Sequence, residues 1–85
     1  MRELARHTFV EAAGHLGRLA DERGEHGEAV RYRLRILDVD PYDEAAHLDL
    51  IRALTAQRRH GEARRAYRTY CARLEELDLD PASFP

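Results

Sequence analysis

Histidine and cysteine are the residues of this chain best able to bind a metal ion or attack a substrate. The histidines are His7, His15, His26, His47 and His60. A zinc site needs three or four converging ligands, and neither a His-x-x-x-His nor a Cys-x-x-Cys spacing occurs in the sequence. We therefore predict no metal site and no cofactor, and we interpret the histidines as solvated or turn residues.

The single cysteine and the adjacent acids do not predict catalysis. Cys71 has no partner for an internal disulfide and lies on an apolar helical stripe, whereas a nucleophile needs exposure and a base partner. Glu75 and Glu76 are neighbours on one helix, so they point in different directions instead of forming a carboxylate pair. No glycine-rich phosphate loop is present in the sequence. We predict that the protein is not an enzyme.

Arginines concentrate in the second half of the chain. They are Arg58, Arg59, Arg64, Arg65, Arg68 and Arg73. This basic face is either a docking site, for an acidic protein surface or for DNA phosphate, or a solvated outer face. A formal net charge of −2 and a pI near 6.2 favour protein over DNA.

One tyrosine completes the set of candidate contacts. Tyr32 lies beside the apolar stripe of its helix, where it either lines a concave groove or is partly buried in the ordinary way. We name Tyr32, Arg64, Arg65 and Arg68 as the candidate partner-binding residues.

The composition fits one small helical domain. The chain has 85 residues, of which 44% are hydrophobic and 35% are charged. A domain of this size has a net stability on the order of a few kcal/mol. No apolar run reaches the length of a membrane-spanning helix, and no signal peptide or lipidation motif occurs, so we predict a cytoplasmic location.

A repeated tetrapeptide predicts the architecture. His26-Gly27-Glu28-Ala29 recurs as His60-Gly61-Glu62-Ala63, 34 residues later, which is the period of the tetratricopeptide unit of two antiparallel helices. Leu16 and Leu50 recur at the same offset. We predict an all-α fold with two such helical hairpins, a fragment of a right-handed α-α superhelix.

Local signals place four helices. The first begins near residue 3 or residue 8 and ends at Gly24, which we expect in the left-handed conformation. The second spans about residues 27–39, and the third follows with Asp40 as its cap and Pro41 at its first position. The apolar stripe of the fourth helix continues to Leu77. The two Asp-Pro closures lie 40 residues apart instead of 34, so we expect the last helix to be six residues, about 9 Å, longer.

Two segments carry a family resemblance, which covers roughly residues 12–83. The run 40–47, Asp-Pro-Tyr-Asp-Glu-Ala-Ala-His, resembles the Asp-Pro-x-x-Glu-x-Ala-His segment of the bacterial transcriptional activator domain. The run 74–83 is similar to that family's closing signature, Leu-x-Glu-Glu-Leu-Gly-x-x-Pro-Ser. Asp78 stands where the family usually has glycine, and Arg33 where it has an apolar residue or tyrosine.

The resemblance implies a regulatory role. Domains of this family accompany a winged-helix DNA-binding domain in SARP-type regulators, so DNA would be reached only through a domain absent from this chain. We expect a single domain over residues 1–85, with a first repeat at about 8–41, a second at about 42–81 and a tail at 82–85. The predicted function is protein–protein interaction or dimerisation in a bacterial transcriptional regulator, with a neighbouring domain or a second copy as partner and no membrane contact. The alternative is a generic tetratricopeptide adaptor that binds a peptide or partner protein in its concave groove.

Overall fold

The computed structural model describes residues 2–85, which form four α-helices and no strand. Helix α1 is Arg2–Glu22, α2 is His26–Val39, α3 is Glu44–Ala56 and α4 is His60–Glu76. Each helix packs against its neighbours in the chain, and the Cα atoms occupy a slab of 39 × 34 × 15 Å. The all-α prediction is confirmed, and the arrangement is consistent with helical hairpin repeats.

The core lies where neighbouring helices cross. Ala29 and Ala63, the last residues of the two tetrapeptides, are completely buried, so the absence of a larger side chain lets the helices approach closely. Ile51 of α3 and Tyr70 of α4 are also fully buried in the same cluster. A smaller cluster joins α1, α2 and α3 around Ile36.

Three of the helices end in the same way. The residue after the last turn is left-handed, with φ of 74° at Gly24, 60° at Arg58 and 56° at Asp78. The following N–H then donates to the carbonyl five residues earlier. These bonds are Glu25 to Ala20 at 2.7 Å, Arg59 to Leu54 at 2.9 Å and Leu79 to Leu74 at 3.0 Å. This is the Schellman motif, which satisfies carbonyls at the helix end, and the conformation expected for Gly24 is confirmed.

The start of α3 differs from the prediction. Asp40 is not its cap and Pro41 is not its first residue, because the helix begins at Glu44 and the Asp43 side chain accepts the Ala46 N–H at 2.9 Å. The physical reason is a local hydrogen bond from the first turn of α3. Nε2 of the buried His47 donates to the Pro41 carbonyl at 2.7 Å, which holds that carbonyl in the preceding turn.

The last helix is extended, but by less than expected. It has 17 residues against 14 in α2, a difference of three instead of six. The remaining residues form the left-handed turn at Asp78, after which residues 79–85 have no regular secondary structure.

Candidate protein-interaction surfaces

A groove runs between α2 and α4, with α3 as its floor. It has a volume of about 390 Å³. Leu50 and Leu54 lie at the bottom, and the walls include Leu34 of α2 and Ala66 of α4. Leu34 is 49% exposed, so the groove presents a large apolar side chain to solvent. We call this surface the central groove.

Charged side chains stand at both ends of the central groove. Arg59 and Glu62 form an ion pair at the end where α2 and α4 begin. Asp38 and Arg73 line the other end. The groove therefore has an apolar middle between two mixed-charge ends, which is the usual composition of a site for an amphipathic segment.

The predicted contact residues lie elsewhere. Tyr32 is half-buried against the cluster of Ala13, Ile36 and Ala46 and does not line the central groove. Arg65 and Arg68 are exposed on α4, away from the groove wall, and the Arg64 guanidinium lies 5.3 Å from the centre of the Phe84 ring. The structure does not bring Tyr32 and these arginines together in the groove, and their role as partner contacts stays a prediction.

Sequence reasoning missed a buried charge network around Arg33. Arg33 is only 2% exposed, and its Nη2 lies 3.5 Å from both Asp21 of α1 and Asp49 of α3. His26 contacts Asp21 at 2.9 Å, and Arg52 contacts Asp49 at 3.1 Å. One guanidinium, through its Nη2, thus connects three helices. The signal in the sequence was a charged residue where the resembled family has an apolar one.

A second missed feature is the path of the C-terminal segment, residues 79–85. Tyr67 Oη donates to the Ala82 carbonyl at 2.8 Å, and the Ala82 N–H donates to Tyr70 Oη at 2.8 Å. Tyr70 Oη in turn donates to Glu44 at 2.5 Å. Burial, and then this bond to Glu44, raise the pKa of Tyr70 above its ordinary 10.0, so the hydroxyl keeps its proton at neutral pH.

Two further observations concern ligands and membranes. Within residues 2–85, no group of three or more His, Cys, Asp or Glu side chains is arranged to hold a metal ion. In the same part of the chain, no helix combines the length and the apolar character that crossing a membrane requires.

Comparison with known families gives the assignment. The model of the family described as bacterial transcriptional activator domain matches residues 1–83. The chain belongs to the bacterial transcriptional activator domain family. Comparison with curated proteins returns no match, and comparison with solved structures returns none either. In this activator domain Asp78 has a φ of 56°, which explains why glycine suits the position that the closing signature gives to it.

Proposed function

We propose that this activator domain is a non-catalytic interaction domain of a bacterial transcriptional regulator. It acts in the cytoplasm by binding a neighbouring domain or a second copy of itself. The observation that supports this most directly is the central groove. Its walls are formed by α2 and α4, and Leu34 on the α2 wall is exposed to solvent. Burying an apolar groove of this kind against a partner is a common source of affinity between proteins.

The charge distribution supports contact with DNA only through another domain. Several arginines are paired with an acid three residues away, within one helix or, for Arg59, across the start of α4. These pairs are Arg6–Glu3, Arg31–Glu28, Arg52–Asp49, Arg59–Glu62 and Arg73–Glu76. A direct DNA-binding domain is usually strongly basic, and the net charge of −2 opposes such binding.

The alternative function is that of a tetratricopeptide adaptor. In that case the central groove takes a peptide from an unrelated partner instead of a second copy. The groove's apolar middle and charged ends favour an amphipathic peptide with an apolar residue facing Leu34.

One substitution pair tests the groove. Leu34→Asp places a charge in it, while Leu16→Asp places the same charge on a leucine of similar exposure, 44% against 49%, on α1. We expect the wild-type domain to self-associate in sedimentation equilibrium at increasing concentration, Leu34→Asp to weaken that association by removing its groove-dependent part, and Leu16→Asp to behave as wild type.

Peptide binding separates the two functions. The adaptor function is supported if the wild-type domain stays monomeric but binds peptides of an array, and if Leu34→Asp abolishes that binding. A monomer that binds neither itself nor any array peptide contradicts the role of the central groove in both functions.

A further inference from the structure

The C-terminal segment lies across a face of α4 that we call the tail seat, defined by Arg64, Tyr67 and Tyr70. The segment contacts this face at Ala82 and Phe84. Since Ala82 lies against Tyr67 and Tyr70, and Phe84 against Arg64 and Tyr67, the segment runs antiparallel to α4. The tail seat is separate from the central groove.

The tail seat binds a peptide backbone. Both hydrogen-bonding groups of Ala82 are used, its N–H by Tyr70 and its carbonyl by Tyr67, each at 2.8 Å. Tyr70 has one hydroxyl proton, and it goes to Glu44 at 2.5 Å, so its lone pairs are left to accept from Ala82. The acceptor is therefore oriented by α3, as a binding site requires.

The tail seat also selects a side chain. The Phe84 ring lies edge-on to Tyr67, with centroids 5.3 Å apart and planes at 76°, and the Arg64 guanidinium lies 5.3 Å from its centre. Both arrangements are favourable for an aromatic ring. Side chains two residues apart in an extended chain lie on the same side. The two hydrogen bonds at Ala82 therefore place the side chain of residue 84 against Arg64 and Tyr67.

The 34-residue offset explains why this face is available. The positions equivalent to Arg64 and Tyr67 are Val30 and Arg33 on α2. Val30 packs in the core cluster that contains Leu50 of α3, and Arg33 pairs with Asp49 of α3. Helix α3 therefore covers this side of α2, and the C-terminal segment covers the equivalent side of α4.

We propose that the tail seat is a binding site for an extended segment of the type Pro-Ala-x-Phe, and that a second copy of the chain supplies this segment by exchanging residues 79–85. The segment is joined to α4 at Asp78, whose φ of 56° is a left-handed conformation that ends the helix and that glycine adopts more readily than aspartate. Residues 79–85 are all exposed, and the contacts of the segment with its seat are those of Ala82 and Phe84, so few contacts must break for it to leave. Exchange of an identical element is a low-cost route to a dimer. This exchange deepens the interaction role proposed above and uses a different surface.

The test uses full-length variants that empty or damage the seat. The tail variant, Ala82→Pro with Phe84→Ala, removes the N–H that Tyr70 accepts and the aromatic ring. The seat variant, Arg64→Ala with Tyr67→Phe, removes the guanidinium and the hydroxyl that hold the segment. Circular dichroism checks that both variants keep the helical content of wild type, which we expect because the substitutions lie on the surface of α4 and in the C-terminal segment.

The first measurement is binding of a fluorescent peptide with the sequence of residues 78–85, followed by anisotropy. We expect the tail variant to bind it at least about tenfold more tightly than wild type, because the attached segment competes at an effective concentration on the order of millimolar. A chain with both sets of substitutions should not bind. Equal binding by the tail variant and the combined variant, or binding by neither, overturns the peptide site.

The second measurement is sedimentation of a mixture of the seat variant and the tail variant. Neither variant alone should form an exchanged dimer, because the seat variant lacks a working seat and the tail variant lacks a working segment. The mixture should form a one-to-one complex, in which the segment of the seat variant binds the seat of the tail variant. A mixture without that complex overturns exchange between copies. Leu34→Asp in both chains removes association through the central groove, so failure of the tail seat and failure of the groove are told apart.

Discussion

A β-carbon placed on Gly17 of α1 would lie 1.6 Å from Nη1 of Arg33 and 2.5 Å from its Cζ. The Arg33 guanidinium therefore occupies the space that a side chain at position 17 would need. The same Nη1 is buried without a hydrogen-bond partner, while Nη2 faces Asp21 and Asp49. Gly17 and Arg33 depend on each other, since the arginine fits only against a bare backbone.

We predict that Gly17→Ala lowers the free energy of unfolding by about 2 kcal/mol, within the range for overpacked interiors. The new methyl group must push the guanidinium away from its two carboxylates. Urea denaturation measures the change. Gly14→Ala on the same helix is the control, because its β-carbon comes no closer than 3.4 Å to Arg18, and we expect it to raise stability by up to about 1 kcal/mol.

Combining Gly17→Ala with Arg33→Met completes this test. Methionine is flexible and has no guanidinium, so Gly17→Ala should cost less stability in the Arg33→Met background than in wild type. If Gly17→Ala alone is as stable as Gly14→Ala, the close approach of Gly17 and Arg33 does not constrain the protein.

The left-handed helix ends predict stabilising substitutions. Arg58→Gly and Asp78→Gly should each raise the free energy of unfolding by about 1 kcal/mol, the usual cost of a left-handed residue with a side chain. Gly24→Ala, at the equivalent position after α1, should lower it by a similar amount. Thermal melting followed by circular dichroism measures all three. A loss of stability in both glycine variants would mean that side-chain contacts of Arg58 and Asp78 outweigh the backbone strain.

The buried alanines predict intolerance of bulk. Ala63 is completely buried, so Ala63→Trp should prevent folding, because the close crossing of α4 with its neighbour has no room for an indole. The matched control is Ala72→Trp, on an exposed position of the same helix, which should keep the wild-type circular dichroism spectrum and melting temperature. Wild-type helicity and melting temperature in Ala63→Trp would contradict the packing described here.

The tyrosine environments predict a loss of stability at alkaline pH. The pKa of Tyr70 is raised above 10.0, first by burial and then by its bond to Glu44, so the folded chain binds its proton more tightly than the unfolded chain. Stability from this group is fully present below pH 10.0 and is lost as the pH rises through the higher folded value. Tyr70→Phe should flatten the fall in melting temperature above pH 10. An equally steep fall would assign the alkaline transition to other groups.

Local sequence patterns predicted the four helices well. The apolar stripes follow from helix geometry, which acts over three or four residues and needs no knowledge of tertiary contacts, and the 34-residue offset is visible directly in the repeated tetrapeptide. The left-handed conformation of Gly24 at the end of α1 could also be predicted from the sequence. The start of α3 was not, because Asp40 and Asp43 are both good caps and the bond from His47 to the Pro41 carbonyl decides between them.

The surroundings of the candidate contact residues were harder to predict, because they depend on contacts made only in the folded chain. Arg64, Arg65 and Arg68 are three or four residues apart or adjacent and share one side of α4, whereas Arg73 lies on the groove side and Arg58 and Arg59 precede the helix, so the apparent cluster is divided. Arg64 is held by Phe84, twenty positions later, and Arg33 is buried because two other helices supply its carboxylates and Gly17 its space. These contacts join residues on different parts of the fold, so no periodic pattern in the sequence indicates them.

The hydroxyl of Tyr70 joins the end of the chain to the beginning of α3. It accepts from Ala82 and donates to Glu44, while its ring lies 5.6 Å from that of His47 one helical turn further on. This one phenolic oxygen therefore links three parts of the fold, namely α3, α4 and the C-terminal segment. A change in the position of any one of them alters the hydrogen bonds available to the other two.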